Sequence, residues 1–501
     1  MLETAAQCWQ RREFGEYFSL MDRAGRLDPA NYRIFLDQGL AHGIRYDYSA
    51  AIQCFERAIV LAPRKSEALI MAATHCRNFS RYDLAQDYLE RAVARSDADP
   101  DTHVKLAEIY ERFRRLEEAG ELVDRALKLD PDCAMAVLVK ARLDRLSGRL
   151  DAAEQLLRPL LAGNDPRTWS TRIRGWYELG ALLDRRELFD EAMAAFQQAK
   201  ALLKPGAARF IDSQKSVREH LEHATMNVSE DLLHRWFEAG KDLLPPRRIA
   251  LLCGHPRSGT TLLEQVLESH SQVISSEETP IFFENYLTLK QSVSPSQPML
   301  SALDAASLAA VQTARDEYLR CTDSLLGSPV GERLLIDKNP SLTSLIPAFV
   351  RIFPEARFLV AIRDPRDVCI SFFMQPVPLN LTSASYLTLE GTVQEYALMM
   401  GLWARLKPLM RERHIEIRYE EMVDNLERTA RRVLDFVDLP WDDRVLRFDE
   451  HARQKLVRSP TYADVTKPVF KGAIGRWRNY EKFLAPHLDK LKPFLSAFGY
   501  E

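Results

Sequence analysis

LLCGHPRSGTTLLEQVLESHSQVISSEE, Leu251 to Glu278, decides how the C-terminal half of the chain folds. It continues a short apolar run, Ile249 to Cys253, that follows the breaker Pro245-Pro246. Apolar runs without alternation suit a parallel strand buried on both faces. Gly254 to Thr261 then has the outline of a phosphate-binding loop, with glycines five apart and hydroxyl residues closing the turn. Successive backbone N–H groups and the N-terminus of the next helix form a concave site for a phosphate there. A triphosphate loop carries lysine directly after its second glycine. Here that position is Thr260, and the nearest cation is Arg257, inside the loop. The stretch therefore predicts a site for one phosphate-like group, a helix behind it, and a paired carboxylate, Glu277 and Glu278, on the loop beyond.

Downstream, strands alternate with helices, the pattern of a parallel sheet with right-handed crossovers. Strands are expected at Leu334 to Ile336, Phe358 to Ile362 and Ile415 to Ile417. Helices are expected at Leu303 to Leu326, Ser341 to Phe353, Pro365 to Phe373 and Met422 to Val437. Ligands in such sheets bind beyond the carboxyl ends of the strands, and the informative residues cluster there. The second strand ends in Asp337-Lys338-Asn339-Pro340. The third ends in RDPRDVCIS, Arg363 to Ser371, where Asp364 caps a helix and Pro365 takes its first position. The fourth leads into Tyr419-Glu420-Glu421. Near the C-terminus stands FKGAIGRWRN, Phe470 to Asn479, preceded by Arg458-Ser459 and Lys467-Pro468-Val469.

HPRSGTTLL resembles the 5′-phosphosulfate loop of the sulfotransferases that use 3′-phosphoadenosine 5′-phosphosulfate (PAPS). The continuation to SSEET looks most like the tyrosylprotein sulfotransferase branch. The resemblance covers about residues 248 to 480, with four motifs in the family's order. It implies PAPS as donor, its bisphosphate PAP as product, and no metal. It also implies that Arg257, Ser258, Gly259, Thr260 and Thr261 hold the 5′ end. Arg363 and Ser371, eight apart, would grip the 3′-phosphate, Tyr419 would lie near the adenine, and Lys471 with Gly472 would close over the 3′-phosphate. Glu278, 21 residues after Arg257, matches the family's catalytic glutamate and would act as general base. Glu277 is its rival, and His255 and His270 are further candidates because cytosolic members use histidine. Lys338 would contact the bridging oxygen, and Ser459 would assist. Three departures stand out. Asn339 replaces an aspartate, the interval after Ser459 is two residues longer, and Pro280 replaces a basic residue that contacts acidic substrate peptides.

Upstream, a 34-residue period runs through an amphipathic helical region. Ala51, Ala85, Ala119 and Ala153 are 34 apart, as are Ala58, Ala92 and Ala126, and Pro29 and Pro63 share the period. Small residues seven apart mark close approach of neighbouring helices, with Phe55 filling the gap. The pattern resembles the tetratricopeptide repeat, with units at 32–65, 66–99, 100–133, 134–167 and 173–206. The last is displaced by five residues and is the fullest match, with Trp176, Leu179, Gly180, Ala192, Phe196 and Ala199. Such helix pairs stack into a solenoid that binds a peptide or protein, spaces domains or joins subunits.

The expected fold class is thus α plus α/β: a repeat solenoid over 1–206, capping and linker helices over 207–247, and a sulfotransferase-like domain over 248–501. With 68 basic and 71 acidic residues the net charge is −3, which gives no global attraction to nucleic acid or anionic membranes. Seven scattered cysteines show no Cys-x-x-Cys pair, and neither a leader nor an 18-residue apolar span is apparent. These features predict reduced thiols and a cytoplasmic location. The expected reaction is transfer of a sulfuryl group from PAPS to a hydroxyl of a protein or peptide tyrosine, or of a small molecule, lipid or glycan. A P-loop kinase and a non-catalytic repeat scaffold are the alternatives of other classes.

Overall fold

The computed structural model describes residues 1–95, 99–163, 165–245, 247–294, 296–380, 382–454 and 471–500. It divides into two compact units, Met1–Glu178 and Leu179–Glu501.

The first unit is built of antiparallel helix pairs. Leu2–Gln10 pairs with Phe14–Leu27, Tyr32–Ile44 with Tyr48–Leu61, Lys65–Asn78 with Tyr82–Val93, Pro100–Arg112 with Leu116–Leu129, and Ala134–Leu146 with Leu150–Ala162. Ala51, Ala58, Ala85, Ala92, Ala119, Ala126 and Ala153 are all fully buried. A methyl is all that fits where the backbones approach. Each pair turns on one left-handed residue: Arg12, Tyr46, Ser80, Arg114 and Gly148, with φ between 60° and 82°. These five stand 34 residues apart, and Glu187 (φ 62°) follows after the same five-residue displacement as the last repeat. The next N–H reaches back to close the helix, as Asp47 does to the His42 carbonyl and Arg81 to that of Cys76, both at 2.9 Å. This is a Schellman cap, and five of the six positions hold it without glycine.

The compact division falls inside the helix Trp169–Arg185, earlier than the repeat-based boundary at 206. The reason lies in the next helix, Phe189–Ala207. Its Lys200 is buried, donates to the Tyr386 carbonyl at 2.8 Å and lies 4.7 Å from the Phe373 ring. Burial pushes that ammonium's pKa down to about 7. Asp184, at the end of the preceding helix, likewise accepts from Arg476 and from the Tyr480 hydroxyl. The second half of the last repeat is therefore part of the C-terminal core. Helices Ile211–Asn227 and Glu230–Ala239 follow, the latter capped by the Ser229 hydroxyl.

The C-terminal unit carries a five-stranded, wholly parallel sheet in the order β2-β3-β1-β4-β5. The strands are β1 Ile249–Gly254, β2 Val273–Ser275, β3 Leu334–Lys338, β4 Arg357–Ile362 and β5 His414–Arg418. β1 is central and buried throughout, as its unbroken apolar run requires. Four strands were expected. The fifth, β2, is three residues long and too short to show periodicity. Register aligns Leu252 with Lys338 and Gly254 with Ala361, so the functional stretches leave the sheet along one edge. Pro365–Phe373 is a helix with the expected bounds. The helix expected at Leu303–Leu326 breaks at Ser307, whose hydroxyl caps Leu308–Leu326. That expected at Met422–Val437 breaks at Asn425, which caps Leu426–Phe436.

Candidate active site

The loop after β1 is shaped by two glycines whose backbone no side chain tolerates. Gly254 has φ +122°, and a Cβ there would stand 2.3 Å from the Ala361 carbonyl oxygen. Gly259, at the N-cap of the helix Thr260–Glu268, has φ +94°; its Cβ would stand 2.5 Å from the Tyr419 ring. The missing Cβ leaves the N–H groups open as a cradle. Thr343 Oγ1 fixes the loop's first turn, 2.8 Å from the Gly254 nitrogen. Ser258, Thr260 and Thr261 are buried in the loop, and its Gly259, Thr260 and Thr261 also line a cavity of about 1110 Å³.

Arg257, Arg363 and Ser371 converge beside this loop. Arg257 Nε donates to Ser371 Oγ at 3.1 Å, and Arg363 Nη1 donates to the Arg257 carbonyl at 3.1 Å. The other arm of Arg363 donates to the Ala473 carbonyl, and its guanidinium stacks 4.8 Å from the Tyr419 ring. Arg363 Nε is buried with no hydrogen-bond partner among the described residues, a donor free to meet an acceptor there. Arg257, Arg363 and Tyr419 all line the cavity. Asp367 accepts from the Gly475 and Trp477 N–H groups at 2.7 Å each, pinning the C-terminal stretch onto the helix after β4. Lys471 and Gly472 are exposed and are not among the cavity's lining residues; Lys471 pairs with Asp424 at 2.6 Å. Ser459 lies outside the described residues.

The carboxylate and lysine meet on the β3 side. Lys338 is fully buried at the end of β3, its Nζ 2.7 Å from Glu278 Oε1 and 3.2 Å from Glu264 Oε2. Burial alone would lower the ammonium's pKa. The carboxylates of Glu264 and Glu278 outweigh it and hold the lysine above its ordinary range. Glu278 keeps 35% of its side chain exposed and lines the cavity. Glu277 is turned inward at φ +53°, and its N–H bonds to Ser275 Oγ at 3.1 Å.

The two histidines sit elsewhere. His255 is wholly buried, and its Nδ1–H donates to the Pro256 carbonyl at 2.8 Å. Burial depresses its pKa to about 4, which leaves a very weak base. His270 lies 2.9 Å from the Pro440 carbonyl. Neither lines the cavity.

Sequence reasoning missed three contributors. Glu264 is an acid buried beside Leu263, Val266 and Leu267 on the helix TTLLEQVLE, and an acid among such apolar positions was its signal. It is fully buried and accepts from Ser275 Oγ. Asp337 is also buried and accepts from Tyr318 at 2.9 Å; desolvation raises its pKa to about 7. The helix Ile211–Asn227 lines the cavity with Val217 and Leu221, which no local pattern announces.

Comparison with known proteins finds matches to both parts of the chain. Residues 250–443 match the sulfotransferase family, and residues 36–101 and 79–143 match tetratricopeptide repeats. An uncharacterized protein of Aquifex aeolicus is 25% identical over 81% of this chain, a match that spans about half, 52%, of its own length. The protein-tyrosine sulfotransferase 1 of Danio rerio is 27% identical over 56% of this chain and 78% of its own. The sulfotransferase domain of the Synechococcus PCC 7002 olefin synthase aligns over 52% of this chain and 97% of its own, at 20% identity and a TM-score of 0.36.

Proposed function

We propose that this chain, a sulfotransferase-family domain over 250–443 joined to tetratricopeptide repeats, transfers the sulfuryl group of PAPS to a hydroxyl acceptor. The observation that carries the reading is the convergence of Arg257, Arg363 and Ser371 on the lysine-free loop, with Glu278 lining the same cavity. Arg363 Nε, without a partner among the described residues, and the Gly259 cradle fit an anionic nucleotide. The loop residues 257–261 take its 5′ end and Arg363 with Ser371 its 3′-phosphate. Tyr419 lies by the base, Lys471 and Gly472 close over the 3′-phosphate, and Ser459 assists the transfer.

The donor supplies an activated sulfur atom open to in-line displacement. The chain's part is to orient the acceptor, remove its proton and stabilise the charge left on the bridging oxygen. Glu278 Oε accepts the hydroxyl proton. Lys338, now paired with Glu278, stabilises the leaving phosphate together with Arg257. The repeat region, assigned to 1–206 with 207–247 as connection, presents a partner or joins subunits. No described helix is long and apolar enough to cross a membrane; the cytoplasmic assignment remains part of this proposal.

The protein-tyrosine relatives make tyrosine the first acceptor to test. A second reading, a small apolar hydroxyl compound, is favoured by Pro280 and by cavity walls rich in Phe283, Leu287, Met299 and Leu345. Arg257→Ala and Arg363→Ala test the donor assignment. Each removes a charge-assisted phosphate contact of about 1.5–3 kcal/mol, so bisphosphate affinity falls about ten- to hundredfold. Calorimetry with adenosine 3′,5′-bisphosphate reads this directly, and unchanged affinity in both variants rejects the assignment.

A further inference from the structure

The cavity that Glu278 lines has a wall with a charge at its end. The helix Ile281–Val293 begins three residues beyond Glu278. Phe283, Tyr286, Leu287 and Lys290 fall at helical spacing along it, on one face, and all four line the cavity. The helix Ile211–Asn227 adds Val217 and Leu221 to the walls. It is held by the Arg218–Glu395 ion pair at 2.7 Å and by Gln214 against the Ser385 hydroxyl at 3.2 Å.

Charge accounting singles out one residue. Among the described residues, four lysines or arginines line the cavity: Arg218, Arg257, Lys290 and Arg363. Arg218 is committed to Glu395, while Arg257 and Arg363 build the loop site. The lining carboxylates are committed too, Glu278 to Lys338 and Glu395 to Arg218. Lys290 is half-buried, and its side chain has no hydrogen bond or ion pair with any described residue. Burial accordingly lowers its pKa, with no carboxylate opposing the shift. A desolvated cation of this kind is stabilised by an anion brought from outside.

We propose that this wall is the acceptor site, and that Lys290 selects an elongated apolar molecule bearing the reacting hydroxyl at one end and an anionic group at the other. The inference rests on the sulfuryl-transfer reading and specifies its acceptor. Helical rise of about 1.5 Å per residue puts Lys290 about 14 Å along the axis from the helix start near Glu278, which sets the span between the two groups. An extended peptide would bring an N–H and a carbonyl per residue that need partners. The side chains of Phe283, Leu287, Val217 and Leu221 offer hydrocarbon instead, which an alkyl chain or ring system matches.

The test uses the full chain with PAPS, a ladder of ω-hydroxy fatty acids of increasing length, and the primary alcohols of matching length. For the unmodified chain the acids should show KM values about tenfold or more below those of the alcohols, with an optimum at intermediate length. Lys290→Met should raise KM for the acids alone, leaving kcat and bisphosphate affinity unchanged. Lys290→Arg should keep the preference, and Lys290→Glu should reverse it. Equal KM for acids and alcohols in the unmodified chain, or equal effects of Lys290→Met on both, overturns the proposal. Turnover of an acidic tyrosine peptide with no hydroxy acid accepted overturns it as well. Loss of bisphosphate binding together with every turnover would instead reject the underlying transferase reading.

Discussion

Glu278→Gln should lower turnover by about 10²–10⁴-fold, the usual share of general-base catalysis, while affinity for adenosine 3′,5′-bisphosphate persists. The glutamine keeps the shape and reach of the side chain but loses its ability to take a proton, together with the charge that faces Lys338. Glu278 is suited to the task because it stands at the cavity surface with its other side anchored 2.7 Å from Lys338. Its neighbour is not. Glu277 is buried, points inward at a left-handed residue and has its N–H tied to Ser275. Glu277→Gln should therefore cost much less turnover. The size of the Glu278 effect also reports the acceptor, since a phenol with pKa about 10 needs less help than an aliphatic hydroxyl. Steady-state kinetics on both variants, with calorimetry for the bisphosphate, check the contrast. Full activity in both places the base elsewhere.

Lys338→Met should do damage of a different kind. The lysine is fully buried between Glu264 and Glu278, and Glu264 has no exposure to water. Removing the cation leaves Glu264 a buried carboxylate that still accepts from Ser275 Oγ. Breaking a buried pair from one side costs about 3–5 kcal/mol. The loss has a sign with pH. In the variant Glu264 gains stability by taking a proton, so its folded pKa rises above the unfolded value of about 4.3. Destabilisation is then smallest below that value and grows as pH rises towards neutrality. Adding Glu264→Gln should restore much of the stability and none of the turnover, because the pair is gone but the cation proposed to stabilise the leaving phosphate is still missing. Denaturant melts at acid and neutral pH, set beside turnover, separate the two roles. A Lys338→Met variant as stable at neutral pH as the parent contradicts the buried-pair account.

Much of this arrangement is legible in the sequence where the physics is local. The apolar run before Gly254 reads as a buried strand because nothing polar interrupts it. Gly254 and Gly259 mark the loop because each holds a positive φ against a close neighbour. The alanines at Ala51, Ala85, Ala119 and Ala153 show the helix pairs because close approach admits only a methyl. What escaped reading depends on tertiary packing or on backbone geometry that carries no residue signature. The left-handed turn residues repeat every 34 positions, yet Tyr46, Arg114 and Glu187 betray nothing, since packing on both sides imposes the cap. Strand β2 is too short for a period. Glu264 pairs with Lys338, some seventy positions away in the chain. The helix break at Asn425 was visible as an N-cap residue inside a helical pattern, and the strong apolar periodicity around it masked the signal. Lys338 stands behind the cavity wall in the grip of two acids, a placement that motif order alone does not show.

The central claim is that the loop after β1 holds a 3′-phosphorylated adenosine nucleotide and not a triphosphate. Titrating the full chain with adenosine 3′,5′-bisphosphate and, separately, with ATP–Mg²⁺, while following the melting temperature, tests it most directly. The account predicts a concentration-dependent rise with the bisphosphate, as ligand binding to the folded state requires, and little or none with ATP–Mg²⁺. A rise with ATP–Mg²⁺ equal to or above that with the bisphosphate, or no rise with either, would contradict it.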